Sequence, residues 1–120
     1  MNLTRISAPE FDVELALAYA TPGNLTGKAI YRHSACWLHP DAAAALARAI
    51  ALAGELDLKF RIFDAYRPVE AQWALWRHNP DPDFLADPRR GSPHSRGIAI
   101  DLTLLRRADG TALDMGTSFD

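Results

Sequence analysis

The sequence lacks several features that mark whole classes of protein. A single cysteine, Cys36, excludes an intrachain disulfide and fits a reducing compartment. No stretch approaches the roughly 18 consecutive apolar residues of a membrane-spanning helix. Neither sign of charge dominates, with 13 Lys and Arg against 15 Asp and Glu, so we expect no general attraction to nucleic acid or membranes. Residues 1–10 lack the apolar core of a signal peptide, so if Met1 is the native start the protein is predicted to be cytoplasmic.

The composition is that of one small globular domain. With 120 residues, 48% of them hydrophobic, the chain can bury about two-thirds of its unfolded surface around one core. Apolar and polar residues alternate over 11–19, 58–62 and 98–104, which is the two-residue period of a strand, and 28–31 fits a further short strand. In segment 98–104, Asp101 lies on the face opposite the predicted core residues. Those core residues are Ile98, Ile100, Leu102 and Leu104. A turn at 108–111 predicts a hairpin with a return strand from Ala112.

Two segments predict helices. Residues 42–53 are rich in alanine, with Asp41 as the expected N-cap and Gly54 as the expected stop. A second helix is expected from Pro68 to about His78. The apolar face of the first helix contains Leu46, Ile50 and Ala53, and that of the second contains Val69, Trp73 and Trp76. Together the elements predict an α+β fold, with helices packed on one side of a mainly antiparallel sheet and the site on the other.

A histidine and a carboxylate stand seven residues apart in the segment SPHSRGIAID at 92–101. His94 is placed in a loop, Asp101 is placed in a strand, and Gly97 permits a tight turn between them. Imidazole and carboxylate are ligands suited to zinc. The spacing alone also fits a purely structural role for both residues, with His94 capping a loop and Asp101 hydrogen-bonded within the sheet.

Four blocks of sequence carry a family resemblance because they occur together and in order. The blocks are YA at 19–20 followed by NLTGKAIY at 24–31, DAYRP at 64–68, SPHSRGIAID at 92–101 and DMGTSFD at 114–120. They resemble the zinc D-alanyl-D-alanine dipeptidases over nearly the whole chain. The resemblance implies hydrolysis of D-Ala-D-Ala to two D-alanines by a zinc-activated water, with the zinc site on the face of the sheet.

The resemblance also implies roles for individual residues. His94 and Asp101 would be zinc ligands, and Arg67 would stabilise the tetrahedral intermediate with its planar guanidinium. The alternative for Arg67 is a structural salt bridge to Asp64. The positions that match substrate contacts in the family are Ser92, Tyr19 and Asp120.

One feature of the family is not found in this sequence. The family takes a third zinc ligand, a histidine, and its general-base glutamate from a Glu-x-x-His segment, which 1–120 do not contain. We therefore expect 1–120 to be a single domain that is incomplete at its C-terminus. Its expected partners are the dipeptide, and either a second copy in a homodimer or the missing segment. The alternatives are a zinc D,D-carboxypeptidase or endopeptidase acting on peptidoglycan stem peptides, and a non-catalytic metal-binding fragment.

Overall fold

A computed structural model of the chain describes residues 2–22, 24, 26–31 and 35–116. Its elements, in chain order, are the strands and helices β1 (Thr4–Ile6), β2 (Val13–Leu15), β3 (Cys36–Leu38), α1 (Pro40–Glu55), β4 (Leu58–Asp64), α2 (Val69–His78) and β5 (Asp101–Arg106). Two short 3-10 turns lie at Ala18–Ala20 and His94–Arg96. Among these described residues, no helix is both long and apolar enough to cross a membrane.

The strands form two small sheets. In the larger sheet β4 is central, paired with β2 in parallel and with β5 in antiparallel orientation, while β1 and β3 form an antiparallel pair. Ile6, Leu38 and Ile62 are fully buried and place the core between the two sheets and α1. The arrangement confirms the predicted α+β class: two helices packed on mixed sheets in which most strand pairs are antiparallel.

Helix α1 begins and ends at other residues than predicted. Its N-cap is His39, whose Nδ1 accepts the backbone N–H of Asp41 at 3.1 Å, because Pro40 already occupies the first helical position. Gly54 lies inside the helix, which runs to Glu55. The predicted cap and stop are therefore wrong by one or two residues. The predicted apolar face is confirmed, with the buried or partly buried residues Leu46, Ile50 and Ala53.

Two predicted strands differ from the structure. The alternating segment 11–19 forms a strand only in β2, after which Leu17, Ala18 and Tyr19 are buried in succession around a 3-10 turn. Residues 28–31 form no strand, and the backbone N–H of Tyr31 instead donates to the Tyr19 carbonyl at 2.8 Å. Consecutive burial breaks the two-residue period, because a strand would turn every second side chain outward.

The buried face of α2 is not the predicted aromatic one. Val69 is 52% exposed, and the buried residues are Ala71, Gln72 and Leu75. The prediction assigned the face by hydrophobicity and therefore passed over a glutamine, whose amide is buried only because it is hydrogen-bonded.

Strand β5 is shorter than the alternating segment that predicted it. It begins at Asp101, and Ile98 is 52% exposed instead of lying in the core. The predicted hairpin turn is confirmed by a bond from the Arg106 N–H to the Thr111 carbonyl at 2.8 Å. The return strand is reduced to one bridge, between Leu105 and Ala112.

Candidate active site

Three separate parts of the chain meet at one end of the larger sheet. Asp64 is the last residue of β4, and Arg67 follows it before α2 begins. His94 lies in the second 3-10 turn, and Asp101 opens β5. The pairing of β4 with β5 shifts register after Ile62, so that Asp64 comes to lie opposite Asp101. Such an irregularity redirects side chains at the end of a strand, and here it brings two carboxylates to one place.

Two reciprocal hydrogen bonds join the arginine segment to the histidine turn. The backbone N–H of Arg67 donates to the His94 carbonyl at 2.9 Å, and His94 Nδ1 lies 2.8 Å from the Ala65 carbonyl. Because a carbonyl can only accept, Nδ1 carries the proton of that bond and Nε2 is the ring nitrogen available for a ligand. The DAYRP and SPHSRG blocks are therefore one structural unit.

His94 and Asp101 have the separation expected of two zinc ligands. His94 Nε2 lies 3.4 Å from Asp101 Oδ1. Two ligand atoms about 2.0–2.2 Å from one tetrahedral zinc ion lie about 3.4 Å apart. The Ala65 carbonyl supplies the backbone acceptor that commonly orients a zinc-binding histidine through its other nitrogen. This distance and this backbone acceptor fit two ligands of one zinc ion.

The pKa of the His94 imidazole reflects the same contacts. Burial lowers its pKa, but the hydrogen bonds to Asp101 and to the Ala65 carbonyl raise it, and the net pKa is above the ordinary value. The imidazole therefore holds a proton more firmly in the metal-free protein, and a metal ion must displace that proton to bind.

Arg67 is buried beside the candidate metal ligands His94 and Asp101 and is held by a fully buried carboxylate. Its Nε and Nη2 both donate to Asp64 Oδ2, at 3.0 and 2.8 Å, and the Tyr31 hydroxyl donates to Asp64 Oδ1. Arg67 is 4% exposed and Asp64 is 0% exposed. Burial lowers the pKa of the guanidinium, but the carboxylate of Asp64 raises it more, so Arg67 stays charged. The salt bridge considered from sequence thus exists, within reach of the candidate metal ligands.

Tyr31 and Tyr19 complete the surroundings of this ion pair. Burial and the negative charge of Asp64 raise the pKa of Tyr31 above its ordinary value, so the phenol keeps the proton that it donates. The guanidinium carbon of Arg67 lies 5.2 Å from the centre of the Tyr19 ring, a cation–π contact. The two tyrosine rings meet edge to face, with centroids 6.0 Å apart.

Asp64, His94 and Asp101 together form a cluster with ligand atoms within 4.8 Å of one another. Asp64 fits a zinc ion less well than the other two. Both of its oxygens already accept hydrogen bonds, and a cation on Oδ2 would face the positive charge of Arg67. These contacts make Asp64 the partner of Arg67 and leave His94 and Asp101 as the candidate metal ligands.

The predicted substrate-contacting residues are only partly brought together. Ser92 is 3% exposed, and its Oγ accepts the His94 N–H at 3.2 Å, so it stabilises the histidine turn and keeps a hydroxyl proton to donate. Tyr19 lies against Arg67. Asp120 lies outside the described residues. Substrate contact stays a prediction for all three.

Two residues of the site were missed by the sequence reasoning. Tyr31 was included only as part of a block, and Gln72 was not considered. Gln72 Oε1 accepts from Arg67 Nη1 at 2.7 Å. A glutamine five positions after an arginine carries no recognisable spacing, so nothing local could have identified it.

Comparisons with known proteins point to one family. A family model described as D-ala-D-ala dipeptidase matches residues 7–120. A D-alanyl-D-alanine dipeptidase of Escherichia coli (strain K12) is 52% identical over 109 residues, which cover 91% of this chain and 56% of that protein. A D-alanyl-D-alanine dipeptidase of Enterococcus faecium is 34% identical, over 85% of this chain and 60% of that protein. The chain thus spans somewhat more than half the length of these relatives.

Proposed function

Since this chain belongs to the D-ala-D-ala dipeptidase family, we propose that it carries one part of a zinc-dependent active site that hydrolyses D-Ala-D-Ala to two D-alanines. The observation that supports this best is the 3.4 Å separation of His94 Nε2 and Asp101 Oδ1, next to the buried guanidinium of Arg67. A metal-ligating pair and a fixed cation side by side suit the hydrolysis of a peptide bond.

His94 and Asp101 are the residues that would hold the zinc ion. When bound, zinc lowers the pKa of a coordinated water from about 15.7 to about 7, which supplies a nucleophile at neutral pH. His94 contributes Nε2 because its Nδ1 is bound to the Ala65 carbonyl. We propose that a third ligand and the general base come from a Glu-x-x-His segment outside this sequence, as the family resemblance implies.

Arg67 would stabilise the negative charge that develops on the carbonyl oxygen of the scissile bond. A guanidinium has five N–H groups, and among the described residues the bonds to Asp64 and Gln72 use one each on Nε, Nη1 and Nη2. We propose that the second N–H groups of Nη1 and Nη2 are the ones that donate to an oxyanion. Asp64 and Gln72 accept hydrogen bonds from the guanidinium, and the face of Tyr19 lies against one side of it. Arg67 Nη2 also lies 3.8 Å from Asp101 Oδ2, so the cation is already close to the metal-ligating pair.

The metal assignment is tested by zinc content. Zinc-loaded protein is dialysed and its metal measured by elemental analysis, for the native chain and for Asp101→Asn. The matched control is Asp83→Asn, which removes an exposed carboxylate. We expect Asp101→Asn to lose zinc and Asp83→Asn to retain it. Full zinc occupancy in Asp101→Asn would overturn the assignment.

The activity is tested by release of D-alanine from D-Ala-D-Ala with added zinc, using this chain and a chain extended by the remaining part of a relative. Release only by the extended protein supports the proposed division of the site. Robust release by residues 1–120 alone would show that the ligands and base lie within them or come from a second copy. Cleavage of peptidoglycan stem peptides but not of the free dipeptide would favour a carboxypeptidase or endopeptidase instead.

A further inference from the structure

Gln72 is a buried polar residue that contacts two parts of the site at once. It lies in the first turn of α2 and is 1% exposed. Its Oε1 accepts from Arg67 Nη1 at 2.7 Å, and its Nε2 donates to the Ala86 carbonyl, also at 2.7 Å. Burying a primary amide is costly unless it is hydrogen-bonded, and both ends of this amide are.

The hydrogen bonds from Arg67 to Asp64 leave one motion of the guanidinium unrestrained. Nε and Nη2 both donate to the same oxygen, Asp64 Oδ2, and the other oxygen is used by Tyr31. Two bonds that converge on one atom permit the guanidinium to pivot about it, whereas two parallel bonds to two oxygens would not. The bond from Nη1 to Gln72 Oε1 holds the guanidinium at a second position and so prevents this pivoting.

The second bond of Gln72 reaches the segment that leads to the histidine turn. Among the described residues, the backbone hydrogen bonds of 81–91 stay local, as in those from Leu85 to Asp81 and from Arg90 to Asp87. The bond from Gln72 to the Ala86 carbonyl connects this segment to α2. One side chain therefore ties the arginine to the loop that ends at Ser92 and His94.

We propose that Gln72 is a positioning residue, which fixes the direction of the Arg67 guanidinium and couples it to segment 81–91. The catalytic consequence rests on the proposed function, because a misdirected arginine matters to turnover only if Arg67 stabilises the reaction. The structural consequence does not depend on that function: without Gln72 the guanidinium pivots on Asp64.

Two substitutions separate the two bonds. Gln72→Met has a similar length and removes both hydrogen bonds. Gln72→Glu keeps an acceptor for Arg67 but removes the donor to the Ala86 carbonyl. The matched control is Leu75→Met, on the same buried face of α2 and 0% exposed, which disturbs packing without removing a polar contact.

The first measurement is the NMR spectrum of the Arg67 Nη protons in this chain, which are resolved when rotation of the guanidinium is hindered. We expect resolved signals in the native chain, Gln72→Glu and Leu75→Met, and averaged signals in Gln72→Met. Amide exchange in 84–91 should become faster in both Gln72 variants. Unchanged Arg67 signals in Gln72→Met would overturn the proposal.

The second measurement is steady-state D-alanine release, in whichever form of the protein is active. We expect Gln72→Met to lower kcat by about 10- to 100-fold at unchanged zinc content, with KM within about threefold of the native value. Gln72→Glu should restore most of kcat, and Leu75→Met should keep it. An equal loss in Gln72→Glu and Gln72→Met would refute positioning. If the native protein releases no D-alanine, the proposed function fails, while the NMR experiment still decides the position of Arg67.

Discussion

The buried ion pair of Asp64 and Arg67 leads to a prediction about stability that needs no assay of activity. Replacing Asp64 by Asn keeps the size of the side chain and removes its charge. The amide can turn its oxygen toward Arg67 and its nitrogen toward Tyr31, whose hydroxyl can rotate to accept. The hydrogen bonds are then retained in neutral form, but a guanidinium that is 4% exposed loses its main counter-charge.

The size of the effect follows from this burial. Removing one partner of a buried ion pair costs about 3–5 kcal/mol. Because Asn keeps the hydrogen bonds and Asp101 Oδ2 lies 3.8 Å from Arg67 Nη2, we expect the lower end, about 3 kcal/mol. For a domain of this size that corresponds to a fall in Tm of about 10 °C.

The control is the same substitution in an exposed ion pair. Asp12 pairs with Lys59 and Arg107, and its side chain is 51% exposed. Asp12→Asn should cost less than about 1 kcal/mol. Thermal and urea unfolding monitored by circular dichroism measure both variants.

Two results would refute the reasoning. Burial raises the pKa of the Asp64 carboxyl above its ordinary value, although Arg67 and Tyr31 stabilise the carboxylate and oppose that shift. If Asp64→Asn lowers Tm no more than Asp12→Asn, the effect of burial outweighs that of Arg67 and Tyr31. Asp64 then carries a proton and is not the counter-charge of Arg67. The second result concerns coupling: in an Arg67→Met background, Asp64→Asn should cost much less than in the native chain. Equal costs in the two backgrounds would show that the residues do not act as a pair.

Three further predictions concern the site and the turn beside it. Arg67→Lys keeps a charge for the carboxylate but loses the planar fork, so turnover should fall about 100-fold with zinc retained; unchanged turnover would remove the role of Arg67. Gly97→Ala should be more destabilising than Gly110→Ala in thermal unfolding. Both glycines have φ near +74°, but only at Gly97 would the Cβ come 2.8 Å from a backbone nitrogen, that of His39; equal losses would show that the close approach is unimportant. Since the pKa of His94 is raised, zinc retention by dialysed protein should decline as pH falls through that raised pKa. The stability of the metal-free protein should change in the opposite sense. Protonated His94 contributes stability at low pH, and that contribution is lost as pH rises through the same pKa. Zinc retention that does not depend on pH would contradict the assignment of His94 as a ligand.

Local chemistry determined much of this protein from the sequence alone. Residues 42–53 predict α1 because alanine has a high intrinsic helix propensity, which does not depend on tertiary contacts. Asp109-Gly110 predicts the turn because the backbone conformation of a tight turn depends on the residues within it. The pairing of His94 with Asp101 was also visible, since seven residues with a glycine between them can bring a turn and a strand start together. Arg67 was found through the block that contains it.

Tertiary structure decided what depends on contacts between distant segments. The face of α2 was mispredicted because Gln72 is buried by its bonds to Arg67 and Ala86, five and fourteen positions away. The strand at 11–19 is short because Leu17, Ala18 and Tyr19 are buried in succession, with Tyr19 against the guanidinium of Arg67. The approach of Asp64 to Asp101 arises from a register shift between two strands. Hydrophobic periodicity compares the polarity of a residue with that of its neighbours in the chain. The burial of a charge or an amide depends instead on the hydrogen-bond or ion-pair partner that the fold brings to it.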